Sequence, residues 1–122
     1  MDFRDLECWK RCRALRISVR NFTKSLPHDE KYKLIDQMVR ASRSTTANIA
    51  EGHGRFHHQE NIQYCRQSRG SLTELIDHFT VALDENYISE EHFNMYIKEI
   101  EECIKMVNGY IRYLKKRKDN DK

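Results

Sequence analysis

Helix breakers are scarce in this chain: one proline and four glycines among 122 residues. β-Sandwiches and barrels need turn residues about every 8 to 12 positions, far more than this sequence offers. No run of about 18 apolar residues occurs, so no membrane-spanning helix is expected. MDFRDLE opens with charge, and nothing resembling a secretory signal follows. Cys8, Cys12, Cys65 and Cys103 show no CxxC spacing and fall on apolar stripes. They read as reduced core thiols of a cytoplasmic protein, not as a disulfide framework. Nor does one sign of charge dominate: 22 basic residues face 19 acidic ones, a net charge of +3. Bulk electrostatics therefore announce no polyanion partner.

What is present is a composition for long helices, with 34% of residues charged. The length suits one domain, residues 1–122, with a single core. Helix one is expected from Phe3 or Arg4 to Leu26, with an inward stripe of Cys8, Cys12, Leu15, Val19, Phe22 and Leu26. Steps alternating between four and three are those of a bundle seam. Pro27 ends this helix. PHDEKY then opens helix two, with Asp29 and Glu30 in a first turn that favours carboxylates. Its stripe is Ile35, Met38, Ser42, Thr45, Ile49 and Gly52: greasy first, then small. Helix three reaches about Asp84 along Cys65, Ser68, Leu72, Leu75, Phe79 and Ala82. Ser89 N-caps helix four, which carries Phe93, Ile97, Ile100, Ile104, Val107, Ile111 and Leu114. A charged tail from about Lys115 to Lys122 is expected to fray. Four helices of some 22 to 28 residues with short connections predict an all-α, antiparallel, up-down-up-down four-helix bundle.

The stretch ASRSTTANIAEGHGRF, Ala41–Phe56, puts small residues on a packing face. That allows a neighbouring backbone to come unusually close. Gly70 and Ser71 place small residues in the middle of helix three. The two patches are expected to face each other, because a helical glycine costs roughly 1 kcal/mol relative to alanine. A polar row, Ser44, Asn48, Glu51 and Arg55, runs beside the first patch, with Glu51 and Arg55 in the favourable i,i+4 order.

Catalytic signatures are missing. His53, His57 and His58 lack a third or fourth ligand at metal spacing, and there is no HExxH. Glu51, Glu74 and Asp77 do not form the Glu-x-x-His pairs of a di-iron bundle. Glu51 and Glu74 are expected to accept hydrogen bonds from Asn, Ser or Arg at helix crossings or a subunit interface. GHG is not a phosphate loop, and no nucleophile has a recognisable base. The expectation is a non-enzymatic protein with no metal and no cofactor.

Cations do gather locally. Up to Leu26 there are seven basic and three acidic residues; from Gln59 to Ile88, two and five. Arg13, Arg16, Arg20 and Lys24 make one basic strip on helix one, joined by Arg40 and Arg43, by Arg66 and Arg69 on helix three, and by the KKRK tail. No RRM, KH or zinc-finger signature accompanies them. Two readings stay open: a strip that tracks the phosphates of structured RNA, or solvated faces that serve subunit docking in an adaptor for a protein partner.

Five segments together resemble a known family. DLECWK (Asp5–Lys10), Pro27-x-x-Glu30-x-Tyr32, RASRSTTANIAEGHGR (Arg40–Arg55), GSLTEL (Gly70–Leu75) and NYI (Asn86–Ile88) are similar to the four-helix bundle proteins also called 23S rRNA intervening-sequence proteins. The resemblance implies a homopentameric ring of antiparallel bundles in a bacterial cytoplasm. It also implies kinship with the accessory variability determinant proteins of diversity-generating retroelements, basic pentamers that bind nucleic acid and a reverse transcriptase. Asn48, Glu51, Gly52, Arg55, Gly70, Ser71 and Glu74 match the family pattern and are read as packing and assembly positions. The retroelement proteins are basic over the middle of helix three, where this chain has Glu74 and Asp77. That difference argues against carrying the retroelement role over.

Overall fold

The computed structural model describes residues 2–120 and contains four α-helices. They are α1 (Glu7–Thr23), α2 (Leu34–His53), α3 (His58–Asp84) and α4 (Glu90–Asn120). Each packs on its neighbour in sequence, and α1 also meets α4, while the backbones of the diagonal pairs stay apart among the described residues. Residues 54–57 join α2 to α3 and residues 85–89 join α3 to α4, connections short enough to force neighbours to run antiparallel. The arrangement is that of an up-down bundle.

The helices are less even than the stripes predicted, from 17 residues in α1 to 31 in α4. Local hydrogen bonding sets the difference at each end. The Asp2 carboxylate accepts from the Arg4 amide at 2.7 Å and the Asp5 carboxylate accepts from the Asp2 amide at 3.2 Å. This reciprocal cap stabilises a separate 3-10 turn, Phe3–Asp5, and Leu6 is extended, so α1 starts at Glu7 and not at Phe3 or Arg4. At its other end the amides of Lys24, Ser25 and Leu26 reach back three residues, which converts the last turn to 3-10.

Helix two also starts later than expected. His28–Glu30 form a single 3-10 turn, Lys33 leaves the helical region at φ −121°, ψ −104°, and α2 begins at Leu34. Asp29 and Glu30 therefore do not occupy its first turn. Leu34, not Ile35, becomes the buried residue there.

The turn between α3 and α4 is a Schellman motif. Asn86 takes the left-handed conformation at φ 62°, the Tyr87 amide donates to Ala82 at 2.8 Å, and the Asn86 amide donates to Leu83 at 3.0 Å. Ser89 then caps α4 by accepting from the His92 amide at 3.2 Å. The basic tail does not fray within the described residues: α4 continues to Asn120, anchored by buried Leu114 and by Lys118, which donates to Gln59 at 2.7 Å. Residues 121–122 of that tail lie outside the described residues, as does Met1.

The core follows the predicted faces closely. Every member of the α3 stripe from Cys65 to Ala82 is buried. On α4 the inward line is Ile100, Cys103, Val107, Ile111 and Leu114, with Phe93, Ile97 and Ile104 half-buried beside it. All four cysteines are free and buried. Burial pushes the Cys8 thiol up to about 11 and that of Cys65 to about 12. Cys12 is raised as well, by its hydrogen bond to Cys103 and by burial. Thiols held protonated in this way are poor nucleophiles, in keeping with a packing role.

The tightest glycine contact lies between α2 and α3. A Cβ on Gly52 would stand 2.7 Å from Asn61 Oδ1, 2.8 Å from Tyr64 Cβ and 3.0 Å from the Asn61 carbonyl, all inside van der Waals contact. One turn after another along α2, Ser42, Thr45 and Thr46 are buried and return their hydroxyls to carbonyls of their own helix. Ser68 of α3 donates across the crossing to the Thr45 carbonyl at 2.8 Å, and Ser71 donates to Ser44 Oγ at 2.8 Å. Gly70 does not take part. A Cβ there would meet nothing within 4 Å, and the residue is exposed. The small residues that face helix two are thus Ser68 and Ser71. Gly70 lies two positions beyond Ser68, roughly 200° around the helix, on the outer side.

Candidate nucleic-acid interface

The basic strip of α1 borders a groove against α2. Arg16, Arg20 and Lys24 line it from one side and Lys31 and Arg43 from the other, in two depressions of about 660 and 200 Å³ that share Arg20, Val39 and Arg43. Among the described residues Asp36 is the single carboxylate in the lining, and Arg40 sits 3.5 Å from it. Five cations with no net opposing acid give the groove a positive potential focused between low-dielectric walls. Two of them are held in place: Arg16 donates to Thr46 at 2.8 Å and Arg20 to Thr23 at 3.2 Å. These bonds to neutral oxygens orient the guanidinium groups without cancelling their charge. Arg13 extends the strip as an exposed residue and, among the described residues, has no hydrogen bond or ion pair.

The remaining predicted cations are not brought to this groove. Arg69 donates to Asn108 Oδ1 at 2.7 Å and belongs to the α3–α4 side of the bundle, opposite α1 and α2. Arg66 is half-buried on α3 one turn before it. The strip on α1 and the pair on α3 are therefore separate features of one subunit.

The assembly-motif positions divide in the same way. Asn48 donates to the Ser44 carbonyl at 2.9 Å and to Ser44 Oγ at 2.8 Å, which joins it to Ser71 through the shared hydroxyl. Glu51 accepts from Arg55 at 3.1 Å. Arg55 also donates to Tyr64 Oη at 2.6 Å, lies 5.0 Å from the centre of that ring, and sits 3.8 Å from Glu60. Arg55 thus ties the end of α2 to the first turns of α3. Glu74 pairs with His78 of its own helix at 3.3 Å and Asp77 is exposed. Within the subunit, then, Glu74 bonds along its own helix and not across a helix crossing.

Two further segments of the resemblance turn out to be bonded to each other. Tyr87 Oη donates to Glu30 at 2.8 Å, linking NYI to the Pro27-x-x-Glu30 turn at the same end of the bundle. That carboxylate pushes the Tyr87 hydroxyl up to about 12. Sequence spacing gave no sign of this contact, since 57 positions separate the partners.

At the opposite end of α2 the His-rich corner forms a cleft of about 450 Å³ between the α2–α3 turn and the last turns of α4. Phe56 is 92% exposed there. The histidine spacing carries no sign of the aromatic side chains that share the corner. Among the described residues no group of three or more His, Cys, Asp or Glu is arranged to hold a metal ion, and no helix is long and apolar enough to cross a membrane.

Similarity to known proteins covers the same architecture. The sequence pattern described as 23S rRNA-intervening sequence protein matches residues 4–109, from the 3-10 turn before α1 well into α4. No curated protein matches the chain. Among solved structures, a crystal structure of a protein of unknown function from the S23 ribosomal protein family of Bacteroides thetaiotaomicron is similar, with a TM-score of 0.79. It is 18% identical, and the match covers 86% of this chain and 95% of that one, so it bears on the fold alone. With the pattern spanning residues 4–109, most of the chain, this chain belongs to the 23S rRNA-intervening sequence protein family.

Proposed function

We propose that this protein is a non-enzymatic, homo-oligomeric bundle that binds structured RNA through phosphate contacts along the α1–α2 groove. The observation that carries the reading is the meeting of Arg16, Arg20 and Lys24 with Lys31 and Arg43 across one groove whose single acid faces Arg40. Rows of cations on helix faces track a phosphate backbone and read no bases, so sequence preference is weak. About four phosphate contacts lower affinity roughly a hundredfold between 50 and 200 mM salt. Family membership makes ribosomal RNA the first ligand to try. A homopentameric ring in a bacterial cytoplasm is the assembly that the family resemblance favours, and it multiplies the groove by the number of copies.

The test is fluorescence anisotropy of a labelled 23S rRNA hairpin. Binding at 50 mM salt, lost on raising salt and on charge reversal by Arg20→Glu with Arg43→Glu, is the expected result. No binding at low salt, or affinity untouched by the two reversals, overturns the reading.

A second reading, an adaptor for a protein partner, draws on the seam between α1 and α4. It is an apolar depression of about 440 Å³ where Met95 is 62% exposed. Purified oligomer free of nucleic acid, with an assembly insensitive to salt, favours that alternative.

A further inference from the structure

From the corner cleft between α2, α3 and the end of α4, we infer a second binding site, one that takes a single unstacked nucleotide: its base on the Phe56 and Tyr113 rings, its phosphate at Arg117. The site is distinct from the basic groove. Arg16 and Arg20 face α2 between Val39 and Thr46, whereas the cleft opens from His53 onward, and α2 alone extends roughly 30 Å by helical rise.

Three observations converge on this ligand. First, the rings are out in solvent. Phe56 is 92% exposed and Tyr113 52% exposed, two of the six large hydrophobic residues so placed among the described residues, and both line the same cleft. A single exposed aromatic is ordinary, but two in one concavity with ordered neighbours form a surface for stacking. The His57 ring stands edge-on to Phe56 at 5.0 Å, and Tyr110 lies parallel to Tyr113 at 6.1 Å, so each exposed ring is backed by another. Tyr110 is itself fixed by Asn61, which donates to its hydroxyl at 3.2 Å.

Second, the charge has one sign. Arg55 and Arg117 line the cleft beside three histidines, and among the described residues no carboxylate does. Arg55 is committed to Glu51, Glu60 and Tyr64, so it positions the loop and contributes little net charge. Arg117 makes no ion pair among the described residues, and its turn of α4 is held against α3 by the bond from Lys118 to Gln59. A free guanidinium on an ordered turn is a phosphate ligand in waiting.

Third, the size fits. About 450 Å³ lies within the ~300–1,000 Å³ of small-molecule sites, enough for one base, sugar and phosphate and too small for a duplex. A planar base with an attached anion satisfies both the rings and the cation. An apolar ligand leaves Arg117 without a partner.

A free mononucleotide and an unpaired nucleotide of an RNA strand offer the same chemistry, and two probes separate them. Full-length protein is titrated with adenosine 5′-monophosphate and with a labelled, unstructured RNA octamer. Phe56→Ala is expected to weaken the bound probe about tenfold, Phe56→Tyr to restore it, and Arg117→Gln to weaken it several-fold with a shallower salt dependence. Dependence on Phe56 with both probes assigns the site to nucleotides in general; dependence with the octamer alone assigns it to a strand. If Phe56→Ala leaves both titrations unchanged, or if it instead dissociates the oligomer, the inference is wrong and the ring has another use. Arg20→Glu with Arg43→Glu serves as the separate control. Loss of hairpin binding in that variant with an unaffected Phe56→Ala removes only the corner site. The opposite pattern removes only the groove.

Discussion

Where α2 crosses α3, the helices meet through Gly52, Thr45 and Ser68, and main chain lies almost against main chain. Where α1 runs beside α4, rings join an ion pair from Arg11 to Glu99 at 3.0 Å. Phe22 of α1, Phe79 of α3 and Tyr96 of α4 form a cluster with centroids 4.4 to 5.7 Å apart, and Tyr96 Oη donates to the Ser18 carbonyl at 3.1 Å. The first seam is narrow and polar. The second is wide and aromatic, and it leaves an open depression beside Ala14, Ser18 and Met95. Small hydroxyl residues close a seam because each can return its hydrogen bond to a carbonyl of its own helix and present only a methyl-sized bump to its neighbour. Among the described residues, no buried side-chain polar atom is left without a partner. Rings bury more area per residue but hold the helix axes apart. One bundle therefore carries a rigid junction and, across from it, a seam with room for another surface.

Removing the ring that reaches all the way across is the severest way to break this contrast. Phe79→Ala empties the centre of the aromatic cluster and is expected to cost about 3–5 kcal/mol, read as a lower urea midpoint with an unchanged denaturant slope. A cost below 1 kcal/mol means that the wide seam collapses freely and is not propped open by Phe79. Filling the narrow seam comes next. Gly52→Ala forces a methyl into Asn61 and Tyr64 and is expected to destabilise by about 1–3 kcal/mol, despite the better helix propensity of alanine. Unchanged stability in that variant means the α2–α3 crossing is looser than its geometry. The smallest effect has the opposite sign. Gly70→Ala adds a methyl to open space and is expected to stabilise the subunit by roughly 0.5–1 kcal/mol, seen as a rise of a few degrees in melting temperature. Should Gly70→Ala lower the melting temperature or reduce the oligomer mass, the space beside it is occupied by a neighbouring copy.

Periodicity made most of the core legible. The α3 stripe is buried at every position, and the cysteines lie where apolar spacing placed them. Helix ends were less accessible, because a 3-10 turn and the first turn of an α-helix call for the same residues. Asp2 caps the one before α1, and Glu30 belongs to the one before α2. A start shifted to Leu34 was enough to exchange Leu34 and Ile35 between core and flank. Gly70 shows that a small residue is not in itself a contact: its offset from Ser68 puts it on the far side of the helix. Among the candidate site residues, the α1 strip needed no structure to find, but its continuation through Arg43 and Lys31 depended on which helices are neighbours. The aromatic corner was hidden because Phe56, Tyr113 and Arg117 are far apart in the chain and belong to no common period.

By itself the sequence determined that there would be four helices, which side of each would face inward, and that the thiols would be internal. All of these follow from interactions within a few residues along one strand of chain. Only the tertiary structure decided which small residues touch, which cations share a groove and which rings gather at a corner. A repeat of 3.6 residues specifies the direction in which a side chain points but carries no information about how near the facing element comes. That distance is set by the combined bulk of two surfaces, and here it came out under 3 Å for a Cβ at Gly52 and as empty space at Gly70.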